Sequence, residues 1–307
     1  MKETVLYFNS EHDDVIRDYY LYVLRLLTQA AQTSYLKADV VLGAYEVRHR
    51  GSRLQFRVDF QIEHTLVKKG GRGAGHAPEG VVPVPGDPGR RYLVRVQDMA
   101  RLDRADVVIE YSCPNLVNLK SSGLYPELVA RLHYIAPLVY PVDALVPGAA
   151  PRDLEVITLF GNPKEPRRKA LLDTLRHWNP VCQNIRGCFD DIHDIYRRTR
   201  ILVNIRQTDH HDTLEELRVL PALLSGVVVI SEDVPLRSEV PYRDFILWAP
   251  LQELPALVRE VHESYAHHHE RIFSGAALRQ CLSAMEKANR DTARLLLAQL
   301  EARHPGS

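Results

Sequence analysis

The chain is poor in cysteine, carries no net charge and has no long apolar run. Its 307 residues include 4 cysteines, Cys113, Cys182, Cys188 and Cys281. These show neither CxxC spacing nor the density of a disulfide scaffold, so they read as reduced, mostly buried side chains, and a cysteine-ligated metal is not expected. Lysine plus arginine equals aspartate plus glutamate at 39 each. No global field therefore gathers nucleic acid or anionic lipid, and an anionic ligand has to be met by a local site. No stretch approaches the ~20 apolar residues that span a bilayer. Met1-Lys2-Glu3-Thr4 passes straight into the strand-like Val5-Leu6-Tyr7-Phe8 rather than into a secretory apolar core, so a cytoplasmic protein is expected. GxxxxGK(S/T) is absent and no GxGxxG follows residues 4–8, so neither a Walker loop nor a Rossmann dehydrogenase is indicated. There is no internal repeat.

What is present is a hydrophobic content of 45%, enough for a substantial core. At ~100 to 200 residues per domain this length holds two domains. Residues 4–8 read as a strand, 14–31 as a helix and 40–47 as a strand. Within that helix Ile16, Tyr20, Val23 and Leu27 recur at the spacing of one buried face. Alternation of this kind predicts α/β layers. Residues 54–68 and 91–97 read as strands separated by a Gly- and Pro-loaded loop over 69–90, either a hairpin tip or a flap over a cleft. Residues 142–153 suit an interdomain linker, with Gly and two prolines. A second α/β run follows: strand 155–160, helix 166–178, helix 188–198, strand 201–205, helix 213–225, and strands 227–230 and 244–248. Residues 254–303 read as two or three helices. The resulting division is residues 1–145, 153–253 and 254–307.

The densest polar cluster runs from Asn204 through Arg206, Asp209, His210, His211 and Asp212 to Thr213, after a strand and before a helix. A loop so placed lies at the carboxyl edge of a sheet. There the free N–H groups of a helix start suit a phosphate, and Arg206 can add a charge-assisted fork. Thr213 and Glu216 have the spacing of a capping box. Glu215 is then free to accept hydrogen bonds from sugar or ribose hydroxyls, with Arg218 within a turn. Pro221 removes one hydrogen bond inside the helix. Ser231, Glu232 and Asp233 end the next strand at the same edge. Gly161 and Asn162 lead into Arg167, Arg168 and Lys169, cations at a helix start that an anionic ligand would relieve. Glu110, Ser112 and Asn115 stand at the end of another strand, 106–110, where ligands of open α/β sheets bind, or else form a turn with Asn115 capping a short helix. The run Asp209-His210-His211-Asp212 also permits a metal-dependent hydrolase, though four neighbours in a row cannot all face one ion. His267, His268 and His269 read as solvated.

Residues 202–205, the polar loop, and the stretch from Glu215 through Gly226 to Glu232 resemble the C-terminal donor-binding half of GT-B-type glycosyltransferases. In that family a strand, a loop, a glutamate-bearing helix ending in Gly and a second strand hold the nucleotide-sugar. The likeness covers residues 155–250, and the N-terminal part only by element order. In the common retaining pattern a glutamate stands where this chain has Pro221, and the acidic pair lies earlier on the helix. The resemblance implies two Rossmann-like doubly wound parallel-sheet domains with C-terminal helices, the first facing a glycan or other hydroxyl acceptor and the second a nucleotide-sugar donor. It places the donor near Gly161, Asn162, Arg167, Arg168, Arg206, His210, Thr213, Glu216, Arg218, Ser231 and Glu232. The acceptor would meet His64, Lys68, Glu110, Ser112 and Asn115. It leaves Asp209, His211 and Glu215 for catalysis, with His64 or His211 as base. It implies no cofactor and no metal, in keeping with the lack of a DxD motif. A nucleotide-sugar epimerase of the same architecture is the alternative.

Overall fold

The computed structural model describes residues 4–8, 16–34, 38–43, 55–68, 82–84, 87–96, 99–141, 151–178, 181–187, 190–208 and 213–303. The first domain contains strand β1 (Val5–Phe8), helix α1 (Arg17–Ala31), and strands β2 (Asp39–Leu42), β3 (Gln55–Gln61), β4 (Leu66–Lys68), β5 (Val82–Val84) and β6 (Asp87–Val94). It continues through α2 (Met99–Leu102), β7 (Val107–Glu110), α3 (Cys113–Ser122), α4 (Pro126–Val129) and β8 (Leu132–Tyr134). Strands β1, β2, β3, β7 and β8 form a five-stranded parallel sheet in that order. Side chains alternate across it. Val107 and Ile109 of β7 face the main core with α1, while Val108 faces the cluster that includes Leu119 of α3. Both faces are therefore covered, as a parallel sheet requires. Ile16, Tyr20, Val23 and Leu27 are all buried, so α1 lies on the face that its periodicity predicts.

The second domain contains β9 (Leu154–Thr158), α5 (Pro166–Trp178), β10 (Cys182–Asn184), α6 (Ile192–Arg198), β11 (Thr199–Asn204), α7 (Glu216–Leu224), β12 (Val228–Glu232) and β13 (Leu247–Ala249). Its five parallel strands run β10-β9-β11-β12-β13. That order reverses between β9 and β11, and a ligand crevice forms beyond the strand ends at such a switch point. Helices α8 (Leu254–Glu263) and α9 (Tyr265–Phe273) pack against β12, and α10 (Ala276–Arg303) lies on α1 and β8 of the first domain. Asn289 anchors it there. Its side chain accepts from the Ala136 N–H at 2.9 Å and donates to the Ala136 carbonyl at 2.8 Å and to the Tyr22 hydroxyl at 2.9 Å.

Gly226 follows α7 with φ +75°, the left-handed conformation that lets a helix end and turn. A Cβ there would lie 2.7 Å from Arg152 Nη2, which donates to the Ser225 carbonyl at 2.7 Å. The glycine thus provides both a conformation and room for a half-buried guanidinium.

Several expectations shift. The run 54–68 is broken by a turn at 62–65, and its second half joins an antiparallel sheet in the order β4-β6-β5. The supposed loop 69–90 therefore contributes strand residues at 82–84 and 87–90, since Pro83 lies in the edge strand β5, and Pro88 and Gly89 of β6 fall where the β5–β6 register is irregular. Residues 69–81 lie outside the described set, as do 142–150 of the linker. Helix α7 begins at Glu216 with Glu215 at the N-cap position, two residues later than the capping-box reading requires. His268 is buried rather than solvated, while His267 is exposed.

Candidate active site in the interdomain cleft

The carboxyl ends of the second sheet face the first domain across a cleft of about 700 Å³. Ile62, His64, Tyr111 and Tyr140 line one wall. Gly161, Arg168, Gln207, Glu215 and Arg218 line the other, where the strand order reverses.

His64 occupies the turn between β3 and β4 and reaches across the cleft. Its Nε2 donates to Glu215 Oε1 at 2.8 Å, and its Nδ1 meets the Thr213 hydroxyl. Asn115 holds the turn on both sides of the imidazole. Its amide donates to the Glu63 carbonyl at 3.1 Å, and its Oδ1 accepts from the Thr65 N–H at 3.2 Å. Behind Glu215 the polar chain continues. Arg218 Nη2 lies 4.0 Å from Glu215 Oε2, Arg218 Nη1 donates to Asn204 Oδ1 at 3.0 Å, and Asn204 donates to Ser231 Oγ at 3.0 Å. Burial pushes the Glu215 carboxyl up, but His64, Arg218 and Arg168 together outweigh it and hold the group well below the usual carboxylate range. Glu215 is therefore an anion at any physiological pH, with 23% of its side chain open to the cleft.

Arg168 sits in the first turn of α5 with its guanidinium 4.7 Å above the Phe160 ring. It makes no ion pair among the described residues, and its Nε has no hydrogen-bond partner. Burial, then the neighbouring Arg218, lowers its pKa to about 10, so it stays charged. A buried guanidinium aimed into a cleft beside a helix start is a site for an anion. Gly161 and Asn162 form the adjacent turn, with Asn162 Oδ1 accepting from the Lys164 N–H at 3.2 Å.

Other expected ligand residues are used for structure. Arg167 grips Glu232 through two hydrogen bonds of 2.9 and 2.7 Å. Arg206 adds a side-chain bond of 2.6 Å and a backbone bond of 3.1 Å to the same carboxylate. This clamp ties the start of α5 to the ends of β11 and β12, so Glu232, which is 2% exposed, is not available to sugar hydroxyls. Ser231 is buried behind the cleft. Glu216 does not cap its helix. Its carboxyl turns into the domain interface and accepts from the Tyr242 hydroxyl at 2.9 Å, because the residue before it, Glu215, takes the boundary position without a side-chain cap.

Glu110, Ser112 and Asn115 are likewise buried away from the cleft. Ser112 is the N-cap of α3 and gives its N–H to Glu110 Oε1 at 2.9 Å. The structure gives these residues a turn and a helix cap, but the cap is Ser112 rather than Asn115, which lies within α3 and acts on the cleft only through the His64 turn. Lys68 lies in β4, but its side chain is outside the described residues, as are Asp209, His210 and His211.

Sequence reasoning passed over Tyr140 and His193. Their rings stack across the cleft at 3.8 Å and 12°, and the Tyr140 hydroxyl donates to Asp18 at 3.0 Å. Single aromatic residues in separate domains leave no spacing by which to find them.

No protein-family model matches the chain, and no curated protein matches it in sequence. Among solved structures it is similar to a chain of the GtfA/B complex, with 14% identity over 93% of this chain and 60% of that one and a TM-score of 0.43. It is similar to Anabaena HepE in complex with UDP-glucose, with 9% identity over 91% and 82% of the two chains and a TM-score of 0.48. It is also similar to the calicheamicin glycosyltransferase CalG4, with 15% identity over 96% and 84% and a TM-score of 0.33. The chain spans 60% of the length of the GtfA/B chain it matches. Two parallel-sheet domains facing each other across a cleft, with the last helix returned to the first domain, constitute a fold of the GT-B type.

Proposed function

We propose that this chain is a glycosyltransferase that moves a sugar from a nucleotide-sugar to a hydroxyl acceptor within the interdomain cleft. One observation carries the reading: a carboxylate and an imidazole from opposite domains meet at 2.8 Å beside two guanidinium groups and a helix start. The cleft volume of about 700 Å³ suits a ligand of this size, since small-molecule sites run from ~300 to ~1,000 Å³.

In this reading Arg168, Arg218 and the start of α5 face the donor diphosphate, and Glu215 accepts hydrogen bonds from donor hydroxyls. His64 donates an Nε2–H hydrogen bond to Glu215, which leaves Nδ1 as the acceptor of a proton. The Thr213 hydroxyl marks the direction from which a hydroxyl reaches it. As the acceptor oxygen bonds to the anomeric carbon, its proton passes to His64, a side chain suited to general base work. The anomeric carbon–oxygen bond to the diphosphate breaks, and its electron pair leaves with the diphosphate. The two arginines and the helix N–H groups take up the developing charge, so the step requires no divalent metal.

Incubating the protein with nucleotide-sugar donors, with and without hydroxyl acceptors and with and without chelator, tests this. Acceptor-dependent release of nucleoside diphosphate that survives chelator supports it. Conversion of the donor to an isomer without acceptor would replace it with an epimerase, and loss of turnover in chelator would return the Asp209-to-Asp212 hydrolase.

A further inference from the structure

Two carboxylic acids lie at the junction of the domains and take no part in the cleft. Glu110, ending β7 in the first domain, and Glu216, starting α7 in the second, are both 0% exposed. Glu110 Oε1 accepts from the Ser112 N–H at 2.9 Å and from Asn115 Nδ2 at 3.1 Å, but Oε2 has no hydrogen-bond partner among the described residues. Glu216 Oε2 accepts from Tyr242, while the Ser112 hydroxyl approaches the carboxyl and Oε1 is left without a partner among the described residues. The Tyr134 hydroxyl, which feels both acids, likewise has no hydrogen-bond partner among the described residues.

Hydrogen bonds from Ser112, Asn115 and Gln61 ease the charge on Glu110, and those from Ser112 and Tyr242 the charge on Glu216, but no cation pairs with either acid among the described residues. Tyr19 of α1, Tyr111, Tyr134, Cys113 of α3 and Tyr242 surround the acids as neutral groups whose own ionisation burial opposes. Glu63, Glu215 and Glu239 act on this shell with further negative charge. Of the cations nearest to it, His64 and Arg218 act on Glu215, and Lys120, whose field reaches Cys113, is exposed to solvent. Two ionised carboxylates enclosed together without a cation are strongly disfavoured. A proton removes one charge and converts an unpartnered acceptor into a donor.

We propose that Glu110 and Glu216 form a proton-binding pair at the domain junction, so that the protein with its domains joined here holds at least one proton more than the protein with them apart. Joining the domains takes a proton from solvent, and separating them returns it. Burial is the leading influence on both acids, holding Glu110 well above the usual carboxylate range and pushing Glu216 up to about 7. For acids raised in the folded state the sign is fixed. The junction is strongest when they are protonated, and weakens as pH climbs from the ordinary carboxylate range through about 7. None of this depends on glycosyl transfer.

Infrared difference spectra of the full chain between about pH 5.5 and about pH 8.5 test the pair, together with melting temperature across the same range for the wild type, E216Q and E110Q. The expected results are a protonated-carboxyl carbonyl band in the wild type that is lost towards the higher pH and diminished in either variant, and a melting temperature whose decline with pH is flattened in the variants. If one variant does not fold, the other and the wild-type spectrum still decide. The absence of the band in folded protein, or an unchanged slope in a folded variant, overturns the proposal. A melting temperature that depends specifically on sodium or potassium at constant ionic strength overturns it in favour of a bound cation.

Discussion

His64 and Glu215, 151 residues apart in sequence, meet at 2.8 Å across the cleft between the two domains. The contact joins a turn of the first sheet to the start of a helix in the second. It is the point at which the acceptor and donor sides of the proposed reaction touch.

Glu215 is held ionised by His64 and Arg218 against its burial. A carboxylate depressed on folding contributes stability that is complete above its unfolded value and is lost as pH falls below it. E215Q is therefore expected to remove part of the acid destabilisation below about pH 4.5, the ordinary carboxylate range. Chemical denaturation as a function of pH reads this out directly, and curves that stay parallel down to the acid limit would contradict the assignment. Turnover should fall in the same variant, because the imidazole loses its anionic partner.

Arg167 and Arg168 are neighbours with different work. E232A leaves Arg167 and Arg206 facing each other without their shared carboxylate, and is expected to cost ~3–5 kcal/mol of stability, as removal of one partner from a buried pair does. R168M keeps an unbranched side chain beside Phe160 while removing the guanidinium that lies over its ring, a charge with no ion pair among the described residues. It should change stability by less than about 1 kcal/mol while abolishing nucleotide binding. Urea denaturation and ligand titration of both variants separate the two roles.

At Gly226 the left-handed φ and the 2.7 Å approach of Arg152 act together. G226A is expected to destabilise by ~2 kcal/mol or more. Adding R152M should recover part of that loss, since it removes the guanidinium the new methyl group meets. A double-mutant cycle in denaturant measures the coupling, and strict additivity would show that φ alone is responsible.

Asn289 satisfies the Ala136 N–H, the Ala136 carbonyl and the Tyr22 hydroxyl in one side chain. N289L leaves three buried polar groups unpaired at ~1–3 kcal/mol each in the worst case. Hydrogen exchange should then quicken along α10 and α1 before the second sheet is affected. Uniform exchange throughout the chain would show that the last helix is not held at this point.

The parts of the fold that were legible in sequence carry their own periodicity or composition. The buried face of α1, the apolar strands β7 and β11 and the start of α5 at Pro166 are local signals. The short strands β8 and β10, with three residues each, hold too little pattern to be found. The cleft was half legible. Gly161, Arg168, Arg218 and Glu215 stand at strand ends and helix starts, where position alone suggests ligands. Glu232, Arg167 and Arg206 stand in equivalent positions, and only the fold reveals that they neutralise each other. Glu216 differs from Glu215 by one residue and by the direction its helix turns it, which no spacing specifies. Tyr140 and His193 meet because two domains dock, a relation that single-sequence periodicity does not contain.

The most direct test is thermal shift of the wild type and R168M against a panel of nucleotides and nucleotide-sugars, since a ligand bound only by the folded state raises its melting temperature by mass action. At saturation near 100 times the dissociation constant the stabilisation is about 2.7 kcal/mol, or several degrees for a chain of this size. The account predicts such a shift for at least one nucleotide-sugar in the wild type and its loss in folded R168M. No shift with any nucleotide at millimolar concentration, or an equal shift in R168M, would contradict it.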